Sequence, residues 1–244
     1  MRPSLIEAKA TILGVGGTGS AVATGLVAYG ISHLHVVDFD HVEESNLTRQ
    51  LLFTEKDIGT LKCDAAVSRL RAINPELKVT GENRKICGPG EIVALMGGCD
   101  VFVLCADVPL KKVPYWANTA ALQTKTPWFM AVYEGPTIAV ASFHPGVTGC
   151  WACLRREQDS AEFVAEGRPL FAWPPTAVIS ASANVAGQLC ALEMTRYLTT
   201  SLTQVLGRVY RYNLARWENN YFIDVPRFHD CPSCAASSVP ALSA

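Results

Sequence analysis

The sequence predicts an α/β fold: a mostly parallel sheet with helices on both faces, continued by antiparallel strands. Three features point there. Between residues 10 and 132, short apolar runs alternate with helical patterns, and that alternation builds parallel sheets covered on both sides. A glycine-rich turn joins the first run to the first helix. From Thr137 the alternation stops and strand patterns predominate, at 137–143, 205–213 and 220–225.

The elements follow in order. Residues 10–13 are an apolar strand that runs into Gly14-Val15-Gly16-Gly17-Thr18-Gly19-Ser20. Gly14, Gly16, Gly17 and Gly19 let the chain turn sharply and let a phosphate approach the backbone. The helix that follows presents its N-terminal N–H groups and positive dipole end to that phosphate. A second strand ends at Asp38 and Asp40, with Asp38 about 20 residues beyond the turn, the spacing at which an acid meets a ribose hydroxyl. This is a Rossmann-like nucleotide site. A polar loop, 41–60, carries Asn46, Arg49 and Gln50. A helix over 61–73 places Ala65, Ala66, Leu70 and Ile73 on one face, and Asn74-Pro75 stops it. Further strands are expected at 77–80, 101–105 and 128–132, with helices at 90–96 and 114–123 between them. The strand at 101–105 brings Asp107 to the same carboxyl-end edge, where open α/β sheets bind ligands. Beyond Thr137 a charged segment, 154–175, precedes a long helix at 177–198 rich in Ala, Ser and Gly.

Composition narrows the function. The 244 residues are 49% hydrophobic and 18% charged, enough for a full core, and the formal net charge is −1. That balance provides no general attraction to nucleic acid or an anionic membrane. No stretch reaches the roughly 18 apolar residues of a membrane helix. The first ten residues lack the apolar core of a secretory signal. A cytoplasmic protein is expected, and nine cysteines without a secretory signal fit a reducing compartment. The expected organisation is one domain over 1–244, with a nucleotide-binding half (1–135), a half of antiparallel strands (136–234) and a fraying tail (235–244).

Four of the cysteines form two C-x2-C knuckles, Cys150/Cys153 and Cys231/Cys234. Each knuckle can put two thiolates on one ion, and two knuckles complete a closed, structural tetrathiolate zinc site. Such a site would clip the last strands onto the middle of the chain. One knuckle alone would equally suit a redox pair. Cys63, Cys87, Cys99, Cys105 and Cys190 fall in helix or strand patterns and read as buried small hydrophobes. His33, His35, His41, His144 and His229 share no ligand spacing with the cysteines and read as surface or strand residues.

The turn with Asp38 alone would suit NAD. Arg49, Lys62 and Asp107 favour a triphosphate with magnesium, because two cations neutralise phosphate oxygens and a carboxylate holds the metal. Together with these residues, Ser45-Asn46-Leu47-Thr48-Arg49-Gln50, Asp57-Ile58-Gly59, Ile73-Asn74-Pro75 and the paired C-x2-C knuckles resemble the ThiF/MoeB superfamily. That fold is shared with the ubiquitin-activating enzymes. The segments 105–109, 145–153 and 231–234 look most like the branch that adenylylates the microcin C precursor peptide.

The resemblance implies ATP-dependent adenylylation of a C-terminal carboxylate on a peptide or small ubiquitin-like carrier protein, by a homodimer. Gly14, Gly16, Gly17 and Gly19 would line the phosphates and Asp38, with Asp40 nearby, would hold the ribose. Asn46, Arg49 and Lys62 would contact the triphosphate beside Gln50, and Asp107 would hold magnesium. Residues 154–175 match the loop that covers the substrate tail. They contain no cysteine, so no thioester step is expected. Only Arg2 is available for the arginine that relatives extend into the partner subunit. A peptide-clamp segment is not seen, so either peptide capture is expected to use a separate protein or the substrate is a different one. Two other readings remain open from the residues: a non-catalytic scaffold that binds a precursor peptide or partner enzyme, and an NAD-dependent oxidoreductase.

Overall fold

The computed structural model describes residues 5–109, 111–159 and 180–235. Its centre is one eight-stranded sheet in the order β3-β2-β1-β4-β5-β6-β7-β8. Strands β1 (Lys9–Leu13), β2 (His33–Asp38), β3 (Lys78–Asn83), β4 (Val101–Leu104) and β5 (Trp128–Glu134) run parallel. Strands β6 (Thr137–Phe143), β7 (Arg208–Asn213) and β8 (Tyr221–Asp224) continue the sheet antiparallel. The expected change of pattern at Thr137 is therefore the change of strand direction.

Alternation along the strands divides the core into two faces. Ile12, Val36, Val103 and Phe129 pack on one side, with α1 (Gly17–Ala28), α2 (Lys62–Ile73) and α6 (Ser180–Thr200). Leu13, Val37, Leu104 and Met130 pack on the other, with α3 (Pro89–Met96), α4 (Val113–Thr124) and α5 (Trp151–Gln158). Helices α1 and α6 sit very close. A Cβ on Gly187 would lie 2.5 Å from the Cβ of Ala21, and one on Gly25 would lie 2.7 Å from that of Ala191. The small-residue pattern of α6 thus serves packing within the chain. No helix among the described residues is long and apolar enough to cross a membrane.

Several local expectations change. β3 extends to Asn83 because its whole length pairs with β2, from His33↔Lys78 to Asp38↔Asn83. Ile73 is 54% exposed: it closes α2 after the last turn that packs on the sheet. Cys87 is exposed, since β3 ends before it and α3 begins after it. Cys63 and Cys190 are buried as expected, and Cys99 and Cys105 partly so. His144 is buried, its Nε2 3.2 Å from Ser142 Oγ. The charged segment 154–175 begins inside α5, and everything from 160 onward in it, like Arg2 and most of the tail, lies outside the described residues.

The chain leaves β1 for β2 on one side and returns to β4 on the other. The carboxyl ends of β1 and β4 therefore flank the crevice where such sheets bind ligands. The turn after β1 is built by two close approaches. Gly14 has φ +90°, and a Cβ there would lie 2.7 Å from the backbone nitrogen of Ala106, just past β4. A Cβ on Gly19 would lie 1.8 Å from the carbonyl oxygen of Gly14.

At the far end, Cys150, Cys153, Cys231 and Cys234 are all buried, with sulfurs within 4.8 Å of one another. The Sγ separations are 3.9 Å (150–153), 3.7 Å (150–231) and 3.6 Å (153–234). A tetrahedral zinc with bonds of about 2.3 Å sets its sulfurs about 3.8 Å apart, so the four thiols fit one ion. Burial pushes the Cys150 thiol up to about 11. Burial acts on Cys231 too, but hydrogen bonds from the backbone N–H groups of Ser233 and Cys234 and from the Cys153 and Cys234 thiols together outweigh it and bring that thiol to about 7. A divalent cation would deprotonate the set. The knuckles are braced by Arg156 to Asp230 at 2.7 Å and by the Trp151 N–H donating to Asn118 Oδ1 at 2.9 Å.

Two outcomes are expected. Gly19→Ala should cost at least about 2 kcal/mol, because the new methyl meets backbone that cannot yield; a wild-type melting temperature would show that α1 can shift. Cys231→Ser should lower zinc content per chain and the melting temperature together, by roughly 4–8 °C for a loss of about 2 kcal/mol. Elemental analysis showing full metal content would sink the shared site.

Candidate functional site

A cleft of ≈310 Å³ opens at the carboxyl ends of β1, β2, β4 and β5. Gly14, Gly16 and Gly17 form its floor at the start of α1. No side chain among the described residues caps that helix start and no acid occupies its first turn, so the backbone donors there are left for a ligand. A Cβ on Gly16 would meet nothing closer than Gln50 Nε2 at 3.8 Å. The space above Gly16 is therefore cleft, in contrast to the crowded Gly14 and Gly19.

Asp38, the last residue of β2, is buried on the cleft wall. Its Oδ2 accepts from the Val15 N–H at 2.8 Å and its Oδ1 from the Asp40 N–H at 2.9 Å. Burial pushes this carboxyl up, and the two N–H bonds oppose that. Each oxygen keeps a lone pair for a further donor, such as a sugar hydroxyl. Asp40 is exposed, and its Oδ2 holds the buried Lys62 ammonium at 3.1 Å. The expected ligand residue Asp40 is thus also the counter-ion of Lys62.

Loop 41–60 folds into two short 3-10 turns, Glu44–Thr48 and Glu55–Asp57. Asn46 organises the first. It is buried, its Oδ1 accepts from the Glu43 N–H at 3.3 Å, and it does not line the cleft. Gly19 does not line it either; it lies behind Gly14. What the turn presents to the cleft is Arg49 and Gln50. Arg49 Nη1 donates to the Ser45 carbonyl at 3.1 Å, and the Asn184 amide of α6 donates to the Arg49 carbonyl at 3.2 Å. Gln50 is buried, and its Oε1 has no hydrogen-bond partner among the described residues.

Asp107 stands exposed on the opposite wall, three residues past β4. A single carboxylate beside room for phosphates matches how magnesium is held, by one or two carboxylates plus substrate oxygens. Arg49, Lys62, Asp38 and Asp107, far apart in sequence, therefore converge on one cleft. Sequence reasoning missed Tyr133, Arg84 and Phe39, which also line it. Burial pushes the Tyr133 phenol up, Arg49 acts against that by charge and hydrogen bond, and Asp107 adds to it. Tyr133 thus lies within the field of both. Its place near the carboxyl end of β5 is the signal that could have found it.

The model of the ThiF family matches residues 3–234. The Sulfur carrier protein ThiS adenylyltransferase of Escherichia coli is 27% identical over 96% of this chain and 88% of its own length. The Molybdopterin-synthase adenylyltransferase of the same organism is 26% identical over 86% of this chain and 80% of its own. Among solved structures, E. coli MccB with ATP superposes with a TM-score of 0.82 at 26% identity, over 95% of this chain and 68% of that one. MccB with AMPCPP and MccA gives 0.81 at 27%, over 94% and 67%. The chain belongs to the ThiF family, and its relatives are ThiF/MoeB-type adenylyltransferases.

Proposed function

We propose that the protein uses ATP and magnesium to adenylylate the C-terminal carboxylate of a peptide or small ubiquitin-like carrier protein. The observation that carries this is the convergence of Arg49, Lys62 and Asp107 on the cleft above the glycine turn. A dinucleotide cofactor needs no such trio. The names of the relatives, and the presence of ATP and MccA in the MccB structures, support the same reading.

In this reading the backbone of Gly16 and Gly17 holds phosphate oxygens at the start of α1. Asp38 accepts from the ribose, and the Gln50 carboxamide, whose oxygen lacks a partner, fixes a donor of the ligand. Arg49 and Lys62 spread positive charge along the triphosphate, and Asp107 holds the magnesium ion. A carboxylate oxygen of the substrate attacks the α-phosphorus. The bond from that phosphorus to the α–β bridging oxygen breaks, and pyrophosphate leaves with the electron pair. The products are an acyl adenylate and pyrophosphate. No general base is required, since a carboxylate is already ionised near pH 7. The protein contributes position and charge neutralisation. The reading includes a structural zinc on the four cysteines and, by family resemblance, a homodimer.

Two measurements test it. Magnesium-ATP at about 100 times its dissociation constant should stabilise the protein by about 2.7 kcal/mol, a rise of roughly 5–10 °C at 2–4 °C per kcal/mol. NAD should give none, and a shift with NAD alone would overturn the reading. With a competent substrate, Arg49→Ala and Asp107→Ala should each slow pyrophosphate release at least about 100-fold while keeping the wild-type melting temperature without nucleotide. Full turnover in either variant would remove that residue from the mechanism.

A further inference from the structure

A second cavity, ≈410 Å³, adjoins the nucleotide cleft. Ala106, Asp107 and Val132 line both, so the two spaces meet across the residue assigned to magnesium. The second space has a different character. Its depth is Leu104, Met130 and Val113, each at most 3% exposed. One side is an aromatic wall, Tyr115 edge-on to Trp151 with ring centroids 6.2 Å apart. Lys111 and Arg155 supply the charge, both positive apart from the shared Asp107.

Resting on the adenylylating reading, we propose that this cavity receives the C-terminal side chain of the substrate and selects a bulky apolar or aromatic residue over glycine. Three observations fix the occupant. A tail whose last side chain fills this cavity has its carboxylate at the shared wall, beside the nucleotide. Lys111 is complementary to that carboxylate, while the Arg155 guanidinium is held by Gln158 Oε1 at 2.7 Å and Asp159 Oδ1 at 3.5 Å and closes the far rim. The space is large enough for an aromatic ring, and its apolar lining gains only from a side chain that reaches it. A terminal glycine would leave it unfilled, and burial of a Leu or Phe side chain is worth roughly 10- to 100-fold in affinity.

The test uses N-acetylated pentapeptides that share four alanines and differ only in a C-terminal Gly, Leu or Phe. They are titrated by NMR into the full chain saturated with magnesium and a non-hydrolysable ATP analogue. The Leu and Phe peptides are expected to bind at least about tenfold more tightly than the Gly peptide. Tyr115→Ala, at a rim position that is 44% exposed, should erode the Phe preference several-fold and leave the Gly affinity unchanged. Equal affinity for the three peptides, no binding by any of them, or an unaltered preference in Tyr115→Ala would overturn the assignment. The thermal shift with magnesium-ATP, measured on both proteins, keeps the two levels apart. If it is present while the peptides fail to discriminate, only the cavity assignment falls; if it is absent from the wild type, the adenylylating reading falls first.

Discussion

The close approach of Gly14 to the backbone at Ala106 is the constraint on which the rest of the site depends. It lets the end of β1 lie directly against the residues that follow β4, with the Cys105 N–H donating to the Leu13 carbonyl at 2.8 Å. Any side chain at position 14 would push those two segments apart. Asp107 is the next residue after Ala106, so its distance from the glycine turn is set by the absence of one carbon atom. The same turn aims α1, and Gly19 allows the first turn of that helix to press on Gly14. The phosphate-facing backbone and the carboxylate opposite it are thus placed by one contact.

That placement is reinforced by the helix that packs beside α1 on the same face of the sheet. Helix α6 packs on α1 through Gly187 and Gly25 and reaches past it, through Asn184, to the carbonyl of Arg49. The cationic loop therefore does not hang from β2 alone. Asn46 acts within the loop, where it shapes the turn that sends Arg49 and Gln50 into the cleft. The cleft carries three cations, Arg49, Lys62 and Arg84, beside three carboxylates, Asp38, Asp40 and Asp107, so geometry and not net charge decides where each sign stands, and a preorganised charge needs little rearrangement when a polyanion arrives.

Much of this was legible in the sequence because it is written locally. The glycine turn, the acid ending β2 and the C-x2-C knuckles are patterns within a few residues, and in combination they narrow the chemistry. The switch of strand direction at Thr137 was visible for the same reason. What escaped was decided between distant segments. Tyr133 and Arg84 reach the cleft only because β5 and the end of β3 come to the same edge, which requires the strand order. The pairing of Lys62 with Asp40 required knowing that α2 starts beside the end of β2. Ile73 has the right spacing for a buried face and is exposed because the face ends before the helix does. Cys87 is exposed because β3 pairs along its full length and leaves the next residues as a loop. The second cavity has no linear signature, since β4, β5, α4 and α5 each contribute a wall.

The Lys62–Asp40 pair has a consequence for how such a cleft changes over descent. Without nucleotide the two charges neutralise each other, one buried and one exposed. A chain that lost the lysine alone would keep an acid pointing at the place of the phosphates, and would repel what it once bound. A chain that lost the aspartate alone would keep a buried ammonium whose remaining counter-charge is Asp38, already occupied by two backbone N–H groups, whenever the cleft stood empty. Drift at either position is therefore penalised until the other has moved, so among homologues these two residues should vary together, as a unit distinct from the glycine turn.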